Sequence, residues 1–210
     1  MNSDILNYTE QHIKKADIQD KSVLEVGSLN VNGSIRPYIE LLEPKLYLGI
    51  DIKGGRDVDL IADITKCDKW GIPFDVIICQ STLEHIRQWK KAVNNMKNLL
   101  SVDGLIYISI PDKEFHFHGY PYDWWRFSQE DLESIFNDFE IIRSDKLGMI
   151  NLLIVKKINC TINDISNYKL YSILRKKLMK EQSIIDLIMW SLNNWKYLLR
   201  RAVVATLKLF

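Results

Sequence analysis

Short apolar runs alternate with amphipathic stretches along most of the chain. The runs have the length and the apolar, partly β-branched content of buried strands, and they fall at residues 22–26, 46–50, 74–79 and 105–110. Between two of them, from Ile86 to Leu100, apolar residues recur at helical spacing while lysines and asparagines take the other face. Strands that alternate with helices predict βαβ units and a mainly parallel sheet.

The first apolar run ends at a glycine bend. Gly27 breaks the run, and the small residues Ser28 and Gly33 let backbone amides approach a ligand closely. Ser34 fits a helix N-cap and Pro37 fits the first helical turn, so a helix should begin here with its positive end toward the bend. A strand, bend and helix in this order are typical of a nucleotide-binding unit.

Acidic residues follow the next two strands. Asp51 comes after the run 46–50, and Asp63 closes a third short strand. A carboxylate at the end of a parallel strand can accept both hydroxyls of a ribose. Each acid alone could merely cap a turn, but the pair favours a nucleoside ligand. Because the bend lacks the G-x-G-x-x-G spacing and follows Glu25, it suits an amine-bearing ligand better than a diphosphate.

This combination resembles the class I S-adenosylmethionine-dependent methyltransferases, in the small-molecule group often called type 11. The residues that carry the resemblance span roughly 21–156 and are Glu25-x-Gly27, Gly33, Asp51, Asp63, Phe74-Asp75-Val76-Ile77 and Leu83-Glu84-His85. The resemblance implies an α/β, Rossmann-like doubly wound sheet of seven strands with an antiparallel last strand.

The same resemblance implies S-adenosyl-L-methionine as the cofactor. It places the methionine part beside Glu25, the ribose at Asp51 and the adenine at Asp63 with Ile64. The residues expected to bind the cofactor are Glu25, Gly27, Ser28, Gly33, Asp51, Ile52, Asp63, Ile64, Gln80 and Ser81.

The composition of the 210 residues, 47% hydrophobic and 26% charged, is that of a soluble protein with a buried core. We expect a methyltransferase domain at 1–160 and an extension at 161–210. Cys67, Cys79 and Cys160 indicate neither a disulfide framework nor a metal site, which favours a cytoplasmic protein. Residues 1–17 are interpreted as a short helix, not a signal peptide, and no stretch is apolar enough to span a membrane.

The predicted extension is basic, with a formal charge of +6 against −5 for the rest of the chain. An acidic domain argues against a nucleic-acid substrate. Residues 167–210 contain neither Pro nor Gly and predict an amphipathic helical extension. Its apolar face is Ile188, Leu192, Trp195, Leu199 and Val203, and its basic stripe is Lys196, Arg200 and Lys208. Such a helix could pack on its own domain, form a homodimer or lie peripherally on an anionic membrane.

An aromatic segment at 115–128 follows the strand whose carboxyl end should face the cofactor. Part of it has a structural explanation, since Ser128 and Asp131 match a helix capping box. We therefore expect Trp125 and Phe127 to pack in the core. The residues that we expect to contact the methyl acceptor are His116, Tyr120, Trp124 and Arg126.

Methylation of an unactivated hydroxyl needs a base, and a histidine oriented by a carboxylate is the usual one. We expect His118 with Asp123 to be the catalytic pair, with His85 as a competitor across the cleft. The plainer alternative is that His118 is a hydrogen-bonded loop histidine. The pattern from His118 to Ser128 also resembles methyltransferases associated with glycan or polysaccharide assembly.

The sequence therefore predicts methyl transfer from S-adenosyl-L-methionine to an oxygen, or a nitrogen, of a small molecule such as a sugar or glycan precursor. Two alternatives remain. One is a lipid or quinone methyltransferase that acts at a membrane surface, and the other is a non-catalytic binding module with the same fold.

Overall fold

A seven-stranded sheet forms the centre of the computed structural model, which describes residues 3–68, 70–119 and 123–195. Within these residues the strands are β1 (Ser22–Val26), β2 (Leu46–Asp51), β3 (Leu60–Ile61), β4 (Phe74–Gln80), β5 (Leu100–Pro111), β6 (Trp125–Arg126), β7 (Glu140–Leu147), β8 (Ile150–Lys156), β9 (Leu170–Ser172) and β10 (Lys177–Met179).

The strand order in the large sheet is β3-β2-β1-β4-β5-β8-β7. Strands β1 to β5 pair in parallel, whereas β8, the last strand of this sheet along the chain, runs antiparallel to both of its neighbours. This topology confirms the predicted Rossmann-like sheet. It also brings the carboxyl ends of β1, β2 and β4 to one edge, where the candidate residues that follow them meet.

Helices cover the sheet. They are α1 (Ser3–His12), α2 (Lys15–Ile18), α3 (Arg36–Leu41), α4 (Trp89–Leu99), α5 (Gln129–Ile135) and α6 (Ile184–Asn193), with 3-10 turns at Ile64–Lys66 and Leu83–His85. Helix α3 begins at Arg36 with Ile35 at the N-cap, so the prediction of Ser34 as the N-cap is one residue too early; the Ser34 hydroxyl accepts the Arg36 N–H at 3.2 Å. The capping box of Ser128 and Asp131 starts α5, as predicted.

The segment after residue 160 differs from the expected all-helical extension. Strands β9 and β10 form a hairpin, and β9 pairs with β6 in a second sheet of order β10-β9-β6. Leu170 and Ser172 are fully buried in it, so tertiary packing outweighs the helical pattern of the sequence. Helix α6 follows the hairpin. The predicted residues Lys196, Leu199, Arg200, Val203 and Lys208 lie outside the described residues.

Helix α6 packs on the domain by one face and leaves the other exposed. Leu187 and Trp190 contact the main core, and Trp190 stacks on Phe117 with ring centroids 4.3 Å apart. The exposed apolar residues of α6 are Ile184, Ile185, Ile188, Met189 and Leu192, and Trp195 just after the helix is exposed as well. Among the described residues, no helix is both long and apolar enough to cross a bilayer.

A buried lysine ties the start of the extension to the domain. The Lys97 side chain is fully buried, and its Nζ donates to Asp138 Oδ1 at 2.6 Å, to Asn163 Oδ1 at 2.7 Å and to the Ile135 carbonyl at 2.6 Å. Three parts of the chain therefore meet at one ammonium group.

We predict that Asp138→Ala destabilises the protein by about 3–5 kcal/mol, because it leaves the Lys97 charge buried without its counterion. Urea unfolding followed by circular dichroism measures the loss. The same change in a Lys97→Met background should cost much less, since no buried charge remains. A loss below about 1 kcal/mol for Asp138→Ala alone, as for a surface pair, would contradict the assigned role.

Candidate active site

A cleft of about 1030 Å³ opens at the carboxyl ends of β1, β2 and β4. All ten residues that the sequence predicted to bind a cofactor line it, which are Glu25, Gly27, Ser28, Gly33, Asp51, Ile52, Asp63, Ile64, Gln80 and Ser81. The two candidate catalytic histidines, His85 and His118, line the same cleft. One cavity thus contains both parts of the predicted site.

The glycine bend has a local steric cause. Gly27 has a φ of +82°, and a Cβ added there would overlap the Thr82 side chain. Only glycine therefore fits without strain. Ser28 next to it is buried, and the amides of Gly27 and Ser28 donate to the Ile50 carbonyl at 2.8 and 3.0 Å. The bend is thereby fixed against the end of β2.

Asp51 and Asp63 both line the cleft and both also fix turns. Asp51 Oδ1 accepts the Lys53 N–H at 2.9 Å, and Asp63 Oδ1 accepts the N–H and hydroxyl of Thr65 at 3.0 and 2.7 Å. Both acids therefore do cap turns, as the plainer alternative expected. It does not conflict with a ligand, because a carboxylate has two oxygens and about four lone-pair sites.

Glu25 lies at the bottom of the cleft with 3% of its surface exposed. Burial raises the pKa of its carboxyl to about 7, against hydrogen bonding from Tyr47 and the charge of Arg36, which lower it. The Tyr47 hydroxyl donates to Glu25 Oε2. At neutral pH this carboxyl is therefore close to the midpoint between its neutral and charged forms.

One wall of the cleft is apolar. Ile5 of α1, Phe115 and Ile150 pack together and line the cavity. Helix α1 is fixed there through Thr9, whose hydroxyl accepts from the Gln80 amide group. The predicted N-terminal helix is therefore a wall of the site.

Three side chains that can bind a proton meet in the same cleft. His85 Nε2 and His118 Nε2 each lie 3.7 Å from Glu84 Oε1, and Glu84 is fully buried. The close approach of His85 depends on Gly119, where a Cβ would come within 2.6 Å of His85 Cε1. We call Glu84, His85 and His118 the histidine–glutamate cluster.

Asp123 stands behind His118, as the sequence suggested. Its Oδ2 is 3.2 Å from His118 Nδ1 and accepts the His118 backbone N–H at 2.8 Å. Burial opposes protonation of the His118 ring, but the nearby carboxylates of Asp123 and Glu84 outweigh it and raise the pKa of the ring to about 9. The two carboxylates thus favour the protonated form of this ring.

Arg126 and Trp124 lie in the protein interior and not at the acceptor site. Arg126 is fully buried, and its five N–H groups are used by Asp123 and by the carbonyls of Phe115, His116 and Trp125. No donor is left for a substrate. Trp124 is 3% exposed and packs in the main core. Both predictions are corrected, because neither side chain reaches the cleft.

The other two predicted acceptor contacts have different outcomes. The His116 ring is exposed and stacks on Phe115 with ring centroids 4.8 Å apart, and it does not line the cleft. Tyr120 lies outside the described residues. Trp125 and Phe127 are fully buried, in agreement with the packing role predicted for them.

Comparison with known proteins decides the family. The methyltransferase domain family matches residues 8–143, well over half of the chain. The chain belongs to this methyltransferase family. The resemblance to class I S-adenosylmethionine-dependent methyltransferases seen in the sequence is thereby confirmed. No curated protein sequence matches the chain.

Solved structures share the fold of this methyltransferase at low sequence identity. TehB from Haemophilus influenzae is 14% identical with a TM-score of 0.56 over 75% of this chain, which spans 62% of TehB. A Burkholderia thailandensis 1,6-didemethyltoxoflavin-N1-methyltransferase with bound 1,6-didemethyltoxoflavin and S-adenosylhomocysteine is 14% identical, with a TM-score of 0.57 over 75% of this chain and 76% of that chain. Magnesium protoporphyrin IX methyltransferase from Synechocystis PCC 6803 with bound SAH is 15% identical, with a TM-score of 0.56 over 73% and 82%.

In the sequence of this methyltransferase nothing assigned Glu84 a catalytic or binding role. Its position next to His85 was visible, but nothing in the sequence shows that its carboxylate is fully buried. The apolar wall of Ile5, Phe115 and Ile150 was missed for a similar reason, since its members are far apart in the chain and meet only in the fold.

We predict that Glu25→Gln makes the stability of this methyltransferase less dependent on pH. The Glu25 carboxyl, with an ordinary pKa of 4.5, has a pKa of about 7 in the folded protein. Between these values the folded state binds more protons than the unfolded state. The contribution of Glu25 to the free energy of unfolding is therefore fully present below the ordinary pKa of 4.5. As the pH rises toward 7 it declines, by up to about 1.4 kcal/mol per pH unit.

Urea unfolding of both proteins near pH 5 and near pH 8 measures this effect. The wild type should lose more stability between the two conditions than the glutamine variant. Equal pH dependence in the two proteins would show that the Glu25 carboxyl titrates alike in the folded and unfolded states.

Proposed function

We propose that the protein transfers a methyl group from S-adenosyl-L-methionine to an oxygen, or a nitrogen, of a small molecule. The observation that carries the proposal is the convergence of Glu25, Asp51 and Asp63 around the glycine bend in one cleft. Membership of the methyltransferase family supports it, as do structural neighbours solved with bound S-adenosylhomocysteine or S-adenosylmethionine.

In this proposal the cofactor lies across the ends of β1, β2 and β3. Asp51 accepts the ribose hydroxyls, and Asp63 with Ile64 holds the adenine. The ionised form of Glu25 attracts the amino group of the methionine part, beside the amides of Gly27 and Ser28. Gln80 and Ser81 complete the pocket at the end of β4. The sulfonium methyl then faces the histidine–glutamate cluster.

The acceptor occupies the space between this cluster and the apolar wall of Ile5, Phe115 and Ile150. An acceptor with a hydrophobic or ring face and one polar reacting atom suits such a site. Phe115 places an aromatic ring in the lining of the cleft, which supports the sugar or glycan precursor predicted from the sequence. Two structural neighbours, a 1,6-didemethyltoxoflavin-N1-methyltransferase and a magnesium protoporphyrin IX methyltransferase, are named for small-molecule acceptors, which supports an acceptor of this size.

The reaction is a direct displacement. The acceptor oxygen attacks the methyl carbon, the carbon–sulfur bond breaks with its electron pair staying on sulfur, and neutral S-adenosylhomocysteine leaves. Alignment of the two reactants supplies much of the rate enhancement. The acceptor must also lose its proton. We assign that proton to an imidazole in its neutral form, either His118, oriented by Asp123, or its competitor His85.

Binding of the cofactor tests this proposal by isothermal titration calorimetry. We predict that the wild type binds S-adenosyl-L-methionine and that Asp51→Ala weakens binding at least about tenfold, because hydrogen bonds to a carboxylate are lost. Gly27→Ala should weaken it as well, since the added methyl group displaces the bend. Asp103→Ala, which removes an exposed carboxylate near the start of β5 that does not line the cleft, is the control and should bind like the wild type. Failure of the wild type to bind at millimolar cofactor would support the non-catalytic module instead.

A second candidate, methylation of a lipid or quinone at a membrane surface, is favoured by the exposed apolar face of α6. Ile185 and Leu192 on this face are 66% and 64% exposed. From residue 187 to the end, the sequence has four bases and no acid. An apolar helix face followed by basic residues is the composition that binds anionic lipid.

Vesicle sedimentation separates the two candidates. If α6 binds membranes, the wild type sediments with anionic vesicles, and the Ile185→Glu/Leu192→Glu variant loses at least about tenfold in partitioning because two apolar side chains no longer insert. Leu41→Glu is the matched control, as Leu41 is 77% exposed on α3. Equal partitioning of all three proteins would eliminate the lipid candidate.

A further inference from the structure

We propose that the histidine–glutamate cluster, Glu84, His85 and His118, binds a divalent transition-metal cation at the acceptor end of the cleft. The inference deepens the proposed function and rests on it, since the cation would act on the methyl acceptor. It also differs from the sequence analysis, which found no metal site, because these ligands come together only in the fold.

The Glu84 carboxylate is fully buried, and neither of its oxygens accepts a hydrogen bond from the residues that the structure describes. A buried carboxylate costs several kcal/mol unless it is paired or coordinates a metal. The imidazoles of His85 and His118 lie 3.7 Å from Oε1, too far for a hydrogen bond, so a cation between the three groups would add direct coordination.

Two histidines lie close to this carboxylate. His85 and His118 each direct Nε2 to within 3.7 Å of Glu84 Oε1, and one ligand atom from each residue lies within 4.8 Å of the others. Ligand atoms bound to one cation at about 2.0–2.2 Å lie about 3–3.5 Å apart. Small side-chain rotations therefore bring the three residues onto a common ion.

The carboxylate of Asp123 lies next to the other ring nitrogen of His118. A histidine that ligates a metal through one nitrogen almost always donates its other N–H to a carboxylate or carbonyl. Asp123 Oδ2 lies 3.2 Å from His118 Nδ1, while His118 Nε2 faces Glu84. Arg126 fixes Asp123 through contacts of 2.5 and 2.9 Å. A small rotation of the His118 ring would align its hydrogen bond to Asp123, so the carboxylate partner is in place before any cation arrives.

The donor set indicates the kind of cation. Two imidazoles and one carboxylate suit Zn²⁺, Fe²⁺, Co²⁺ or Mn²⁺, and three protein ligands are typical of sites that leave a position for substrate. Both histidines line the cleft, so such a position would be open to the acceptor. A cation there lowers the pKa of a bound hydroxyl, which is the activation that oxygen methylation needs.

Cobalt titration of the full chain tests the proposal. After removal of metals with a chelator, Co²⁺ binding is followed by its visible absorption and by metal analysis of the dialysed protein. We expect one Co²⁺ per chain in the wild type. Glu84→Gln and His85→Ala should each weaken binding at least about tenfold. His12→Gln, which removes a histidine outside the cleft, should bind Co²⁺ like the wild type.

Circular dichroism confirms that each variant is folded, and His85 is one-third exposed, so its loss is tolerated even if Glu84→Gln is not. Absence of stoichiometric Co²⁺ binding by the wild type at about 100 μM would overturn the proposal, as would unchanged binding by both cluster variants. S-adenosyl-L-methionine binding is measured on the same samples. Its absence would overturn the proposed function, whereas its presence without Co²⁺ binding would overturn only the metal site.

Discussion

The buried ion pair of Asp123 and Arg126 determines the acceptor side of the molecule. Arg126 holds Asp123 with two N–H groups and the carbonyls of Phe115, His116 and Trp125 with the others, so a segment without regular structure acquires one conformation. Asp123 in turn fixes both the backbone and the ring of His118. Strand β6, which contains Arg126, also pairs with β9 and attaches the extension. Breaking such a pair by removing one partner is strongly destabilising, because the other charge remains buried.

The cofactor side depends on a different constraint, the parallel pairing of β1, β2 and β4. Parallel strands end at a common edge, so residues that are far apart in the chain meet there without long-range side-chain contacts. Gly27 completes this edge because no other residue fits against Thr82. The two halves of the site are thus stabilised independently, one by backbone topology and one by a buried charge pair. The methyl donor and the acceptor would meet where these halves adjoin, at the histidine–glutamate cluster.

Local patterns predicted the cofactor side well. The strand runs, the glycine bend, the acids after β2 and β3 and the capping box at Ser128 depend on neighbouring residues, and the structure shows each of them. The acceptor side was predicted less well, because burial is not a local property. Arg126 and Trp124 have the composition of a binding surface, yet they lie inside the protein. Strands β9 and β10 lie in a stretch predicted to be helical, but β9 pairs with the edge of β6 and β10 pairs with β9. Glu84 was overlooked because its importance lies in its burial and in a histidine 34 positions away.

In the proposed complex one adenosine lies over the glycine bend, between the two acids that end β2 and follow β3. A crystal structure of the protein with S-adenosylhomocysteine would show this placement. We expect the ribose hydroxyls within hydrogen-bond distance of the Asp51 carboxylate, the adenine beside Asp63 and the amino group next to Glu25. Crystals soaked in the nucleoside that show an empty cleft, with Asp51 and Asp63 turned into solvent, would contradict it.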